Sequence, residues 1–138
     1  MQMNADQDSR LIDSELTQQV IGIFYSVYNE LGRGFSEGVY ENSMAIALKE
    51  EGVPFAQQYP LTVWFRDKPA GEFRIDLMVD SRLVVELKAA TRLTRAHEAQ
   101  VINYLKATGV QVGLLLNFGD RPEFKRLVVT DAHKQTHR

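Results

Sequence analysis

The chain has 138 residues, 44% hydrophobic and 25% charged, with a formal net charge of -2 and a pI near 5.9. That length suits one domain with one core, and the balance makes no global case for a polyanionic partner. With no cysteine, disulfides, thiolate metal centres and cysteine nucleophiles are excluded. No apolar run approaches the roughly 20 residues of a membrane span, and the polar, acidic start at residues 1–10 is unlike a signal peptide. A cytoplasmic protein is the default expectation.

Residues 1–10 lack apolar periodicity and read as a loose N-terminal tail. Asp13 and Ser14 offer N-cap chemistry, and Ile12, Leu16, Val20, Ile23, Phe24, Val27 and Leu31 follow at helical spacing. This amphipathic helix stops at Gly32-Arg33-Gly34. Ser36 caps a second helix with Glu37 in its first turn, where an acid suits the helix dipole. Phe35 and Tyr40 are placed for a hydrophobic staple, and Gly52 ends the helix.

The pattern then changes from helical to alternating. Gln57 to Arg66 reads as a strand broken by Asp67-Lys68-Pro69. From Glu72 to Val79, Phe73, Ile75, Leu77 and Val79 face one way, and Arg74, Asp76 and Met78 the other. A tight turn at Asp80-Ser81-Arg82 leads to Leu83–Ala89, apolar enough for a central strand covered on both faces. Thr94 caps a third helix running to about Ala107, with Gly109 as its stop. Val112 to Phe118 is another buried strand, and a turn through Gly119–Pro122 leads to a last strand from Phe124 to Thr130. The expectation is an α/β fold: a central mixed sheet of about five strands flanked by three helices. A single domain would occupy 11–131, followed by a polar tail at 132–138.

Within that frame Glu86 and Lys88 are anomalous, because two charges on one face of a central strand are expensive to bury. Asp76 lies on the preceding strand. A three-residue turn puts it directly opposite Glu86, and a two-residue turn puts it on the diagonal. Two carboxylates that close repel unless a cation lies between them, and oxygen ligands select a hard ion such as Mg²⁺ or Mn²⁺. An ion-pair cluster on a half-exposed sheet would use the same residue types, so the three side chains alone leave both readings open.

Arg74-Ile75-Asp76 followed by Val85-Glu86-Leu87-Lys88 resembles the Asp…Glu-x-Lys core of the PD-(D/E)XK nuclease superfamily, which sits on a β-hairpin. Gly34-Phe35-Ser36-Glu37-Gly38-Val39-Tyr40 looks like the signature of the GxxExxY family, small bacterial proteins within that superfamily. Gln100-Val101-Ile102-Asn103-Tyr104 resembles its Q-x-x-x-Y helix, shared with RecB-like nucleases. The Gly113–Phe118 strand is similar too, so the likeness runs from about Leu16 to Val129.

The resemblance implies a restriction-endonuclease-like fold and a Mg²⁺- or Mn²⁺-dependent nuclease acting on nucleic acid, DNA first. It implies that Asp76, Glu86 and the Leu87 carbonyl ligate the metal, with Glu37 completing the acidic cluster. Lys88 would orient or deprotonate the attacking water or neutralise the phosphorus. Gln100 and Tyr104, four apart on one helix face, would contact substrate. Arg92 and Arg95 are candidates for phosphate contacts, or equally for a solvated loop and cap. Glu41 reads as a solvent-facing helical residue, and His97 as a surface or outer-sphere one. The alternatives are a non-catalytic module binding nucleic acid or protein, and a structural domain with an ion-pair network. No membrane partner is expected. An exposed edge strand such as the last one leaves a homodimer open.

Overall fold

The structure, a computed structural model, describes residues 12–130, so the tails expected at 1–10 and 132–138 lie outside the described residues. Its elements are α1 (Ser14–Leu31), α2 (Glu37–Glu50), β1 (Phe55–Phe65), β2 (Lys68–Val79), β3 (Leu83–Lys88), α3 (Arg95–Thr108), β4 (Val112–Phe118) and β5 (Pro122–Val128). They form one five-stranded sheet in the order β1-β2-β3-β4-β5. The β3–β4 pair is parallel and the other pairs are antiparallel. The α/β class and the mixed sheet with three helices are as the periodicity predicts.

Helices α1 and α2 lie on one face of the sheet. Val20, Ile23 and Phe24 of α1 and Tyr40, Met44 and Leu48 of α2 pack there against Leu77, Val85, Leu87, Leu114, Leu116 and Phe118. The Tyr40 ring stacks on Phe118 at 4.1 Å, and Phe24 meets Phe118 edge-on at 4.9 Å. The other face carries α3 alone, whose Val101, Tyr104 and Leu105 pack on Leu61, Ile75, Met78, Val84 and Leu115.

Helix starts differ from expectation in detail. Thr94 caps α3 in a reciprocal capping box with His97, which gives that imidazole a structural partner. Asp13 and Ser36 precede α1 and α2 but make no side-chain cap bond. Asp13 instead pairs with Arg82 at 2.8 Å, tying α1 to the β2–β3 turn.

Strand boundaries shift for identifiable reasons. Arg66 and Asp67, both at positive φ (51° and 64°), form the whole β1–β2 turn, so β2 begins at Lys68 and includes Pro69. Pro69 is tolerated because β3 pairs only with Leu77–Val79, and the earlier part of β2 has a free edge. Strand β5 starts and ends two residues earlier than expected, with Pro122 at its first position.

The main departure concerns alternation along β2. Phe73, Ile75, Leu77 and Val79 were expected on one face, yet Leu77 and Val79 enter the α1/α2 core while Ile75 packs under α3. Strand β1 does the same: Phe55 packs against the first core and Leu61 belongs to the second. Both strands switch face at one level. There Gln58 adopts a left-handed conformation (φ 51°), and Gln58 and Asp76 drop out of a register otherwise continuous from Phe55↔Val79 to Val63↔Gly71. Period-2 reasoning fails here because one irregular residue on each strand cancels in the register while inverting the faces. The far half of the β1–β2 hairpin thus leaves the main sheet as an arm beneath α3.

Candidate metal and substrate site

Asp76 sits at the root of this arm. The β2–β3 turn holds three residues, Asp80 to Arg82, and the pairing runs Val79↔Leu83, Met78↔Val84, Leu77↔Val85 and then stops. The next rung would join Asp76 to Glu86. There the backbones part, and side chains take over the hydrogen bonds. The Asp76 N–H donates to Glu86 Oε1 at 2.8 Å, and the Leu87 N–H donates to Asp76 Oδ2 at 2.9 Å. Each carboxylate caps a backbone donor of the opposite strand.

Each carboxylate also keeps a second oxygen for other partners. Asp76 Oδ1 has a long contact from Gln58 Nε2 at 3.5 Å. Glu86 is 3% exposed. Burial first, and then the Asp76 charge, push its carboxyl up to about 8. Asp76 is also raised, mainly by burial, with Glu41 and Glu37 adding repulsion against the opposing Leu87 hydrogen bond and Lys88. Buried acids with raised affinity for protons are sites where another cation would be favoured.

Lys88 lies two residues beyond Glu86, half-buried, and its charge lowers both carboxyls. Just past it, Asn117 holds the exit of β3. Its side chain accepts from the Ala90 N–H at 2.9 Å and donates to the Ala90 carbonyl at 3.0 Å. Asn117 is 1% exposed, so this paired bond satisfies a buried amide and fixes the strand end carrying Lys88.

From the α3 side, Gln100 Nε2 donates to the Tyr104 hydroxyl at 3.0 Å. Burial raises the Tyr104 pKa first, with the charges of Glu86 and Asp76 adding to it. Its hydroxyl therefore stays protonated within the field of the acid pair. Glu37 is exposed at the start of α2, close enough for both carboxyls to feel it. Arg92 and Arg95 are exposed on the loop before α3 and at its first residue, and have no ion pair among the described residues. The hydrogen-bonded set does not include them.

Of two further residues in this set, Glu41 was expected to face solvent and does not, and Gln58 went unnoticed in the sequence. Glu41 is partly buried and accepts from Gln57 Nε2 at 2.9 Å and Gln58 Nε2 at 2.8 Å, and its charge acts on Asp76 ahead of that of Glu37. Its spacing of four from Glu37 was the available signal, since both lie on one helix face. Gln58 bridges Glu41 and Asp76. Nothing in a β-type segment announces a left-handed glutamine.

Among the described residues no three carboxylate or imidazole groups gather into a ready metal cage. The donor set nonetheless fits a hard divalent ion: Asp76 Oδ1 and Glu86 Oε2 take no backbone hydrogen bond from the described residues. The Leu87 carbonyl leaves β3 on the same edge as the Leu87 N–H, toward the opening. Two carboxylates, a carbonyl and water suit Mg²⁺, which keeps much of its hydration and does not need a full protein cage.

A cleft of about 650 Å³ opens between α3 and the arm, lined by Phe73, Gln100, Asn103 and Tyr104 among others. No helix among the described residues is long and apolar enough to cross a membrane.

A family model described as the PD-(D/E)XK nuclease superfamily matches residues 14–127. No curated protein matches the chain. Among solved structures, the crystal structure of SSO0001 superposes with a TM-score of 0.55 at 16% identity over 90% of this chain, a likeness of fold alone. The chain spans 63% of the length of that structure's chain.

Proposed function

Since the chain belongs to the PD-(D/E)XK nuclease superfamily, we infer that it is a divalent-metal-dependent phosphodiesterase acting on nucleic acid, with DNA the expected polymer. The observation that carries this reading is the parted β2–β3 ladder. Two carboxylates bracket the opening, one of them buried and pushed up to about 8, with a lysine two residues further on. An ion-pair network would match charge with charge, but here acids outnumber the nearby base. The motifs Gly34–Tyr40 and Gln100–Tyr104 support membership of the GxxExxY group.

In this reading Asp76, Glu86 and the Leu87 carbonyl hold Mg²⁺ or Mn²⁺. Bound there, the ion supplies Lewis acidity at a phosphoryl oxygen and an acidified water. Lys88 Nζ neutralises charge on the phosphoryl group or takes a proton from the nucleophile. The Tyr104 hydroxyl, oriented by Gln100, donates a hydrogen bond to substrate or water. Glu37 and Glu41 add negative charge that favours an ion at Asp76. Arg92 and Arg95 remain candidates for phosphate contacts away from the reacting centre.

Purified protein incubated with single- and double-stranded DNA and RNA in Mg²⁺ or Mn²⁺ should cut at least one polymer. Asp76→Ala and Lys88→Ala should each lower turnover by about 10²–10³, the usual effect of removing one electrostatic element from a site. Cutting that survives in both variants, or wild type that neither cuts nor binds metal, would overturn the assignment. Wild type that binds metal and nucleic acid without cutting would replace it with a non-catalytic binding module.

A further inference from the structure

We propose that the cleft between α3 and the β1–β2 arm is a binding site for one unstacked nucleobase of the substrate strand. The site therefore takes single-stranded, frayed or flipped nucleic acid rather than intact duplex. This rests on the nuclease reading above and extends it to the form of substrate.

The cleft exists because of two features already described. The face switch at Gln58 and Asp76 carries the arm beneath α3, and the helix presents short side chains such as Ala99 toward it. Its volume of about 650 Å³ lies within the range, roughly 300–1,000 Å³, of pockets that hold small ligands. Phe73 lies on the arm wall, lines the cleft and is 47% exposed, so part of its ring is open to a ligand there. Its ring is 6.1 Å from that of Tyr104 at a tilt of 54°, so the two aromatic rings stand together in the cleft wall.

The chemistry of the lining fits a base better than an aliphatic ligand. An aromatic face supplies stacking, while Gln100 and Asn103 bring amide donors and acceptors and Lys106 brings a positive charge. Every base has a π-face, so such a platform binds strands without demanding a sequence. The polymer's path follows from Tyr104, which lines the cleft and whose hydroxyl feels Glu86 and Asp76, and from Phe73, three residues along β2 from Asp76. A base seated on Phe73 thus belongs to a nucleotide next to the one whose phosphate reaches the acid pair. A paired base cannot enter, because its face is covered by stacking neighbours within the duplex.

The test is binding of a labelled single strand of on the order of a dozen thymidines, matched to the usual footprint of single-strand sites. It is run in Ca²⁺, with strand integrity checked on a gel. A second strand of the same length carries abasic linkers, keeping the phosphates and losing the bases. Phe73→Leu keeps an apolar side chain at a half-exposed position and removes the ring. It should weaken thymidine-strand binding roughly 5- to 150-fold, the range for loss of one stacked base. Wild type should lose a similar factor on the abasic strand, and the two losses should not multiply when combined.

Equal binding of both strands by wild type, or by Phe73→Leu and wild type, would overturn the base cleft. So would a Phe73→Leu protein whose oligomeric state changes in sedimentation while its strand affinity does not, since the cleft would then face another copy. Wild type that cuts in Mn²⁺ but is indifferent to bases would lose the cleft and keep the nuclease reading. Wild type that holds strands through Phe73 and cuts nothing would keep the cleft and lose the nuclease.

Discussion

The two faces of the sheet are covered to different degrees. Under α1 and α2 the rings of Phe24 and Tyr40 both close on Phe118 at the centre of the core. Under α3 a single helix spans a sheet and an outlying arm, and the cleft opens between them. The first face is the scaffold, and in a close-packed core any lost volume is felt. The second combines moderate packing with the polar and charged groups that matter for chemistry.

The sharpest way to break this contrast is to remove a ring from each face. Phe118→Ala, at a position 1% exposed and in contact with three rings, should cost about 3–5 kcal/mol in urea unfolding. Phe73→Ala should cost less than about 1 kcal/mol, as expected of a half-exposed side chain. Equal losses would mean that the arm is part of the scaffold after all.

A more modest effect is expected where α3 sits closest to the sheet. A Cβ at Gly113 would lie 2.6 Å from Val101 Cγ1, so Gly113→Ala should push α3 outward and cost about 1–3 kcal/mol. Its cleavage should fall if α3 aligns Tyr104 with the acids. Unchanged activity after that loss of stability would separate α3 from the chemistry.

Next comes pH. Glu86 titrates near 8 in the folded chain against 4.5 for an ordinary glutamate, so between those values the folded protein holds the extra proton. Stability contributed by this group is therefore full below about pH 4.5 and declines as pH rises toward 8. Thermal melts of metal-free protein should show that decline, and Glu86→Gln should flatten it. Added Mn²⁺ should oppose the loss at the alkaline end, because binding to the folded state alone stabilises it. A slope that persists unchanged in Glu86→Gln would assign it to other groups.

The smallest effect on stability is expected at Gln58. Gln58→Gly accepts the left-handed backbone without strain and removes the amide that ties Glu41 to Asp76. Stability should change by less than about 1 kcal/mol, while Mn²⁺ affinity measured by calorimetry falls about 10-fold, as for loss of a partner that orients a ligand. A large drop in stability with unaltered affinity would make Gln58 purely architectural.

The order of elements was readable in the chain because hydrophobic spacing changes from helical to alternating and back at clear turn residues. Asp76, Glu86 and Lys88 stood out because charges in an apolar strand are costly, and their convergence followed from the length of one turn. The face switch was not readable: it depends on backbone angles at Gln58 that no spacing rule encodes. Glu41 reads as solvent-facing in the sequence for a related reason, since its importance arises only once β1 brings Gln57 and Gln58 against α2. Arg92 and Arg95 show the reverse, basic residues near the motif in sequence yet exposed and unpaired among the described residues.

The inverted hairpin also bears on how the molecule holds together over time. One continuous pair of strands contributes Leu77 and Val79 to one core and Leu61 and Ile75 to the other. Neither core can open fully without pulling on strands that the other still grips, and the joint between them is Asp76. Amide exchange should therefore find the two cores opening as one cooperative unit rather than layer by layer. Whatever ties Asp76 down would slow exchange on both sides of the sheet at once.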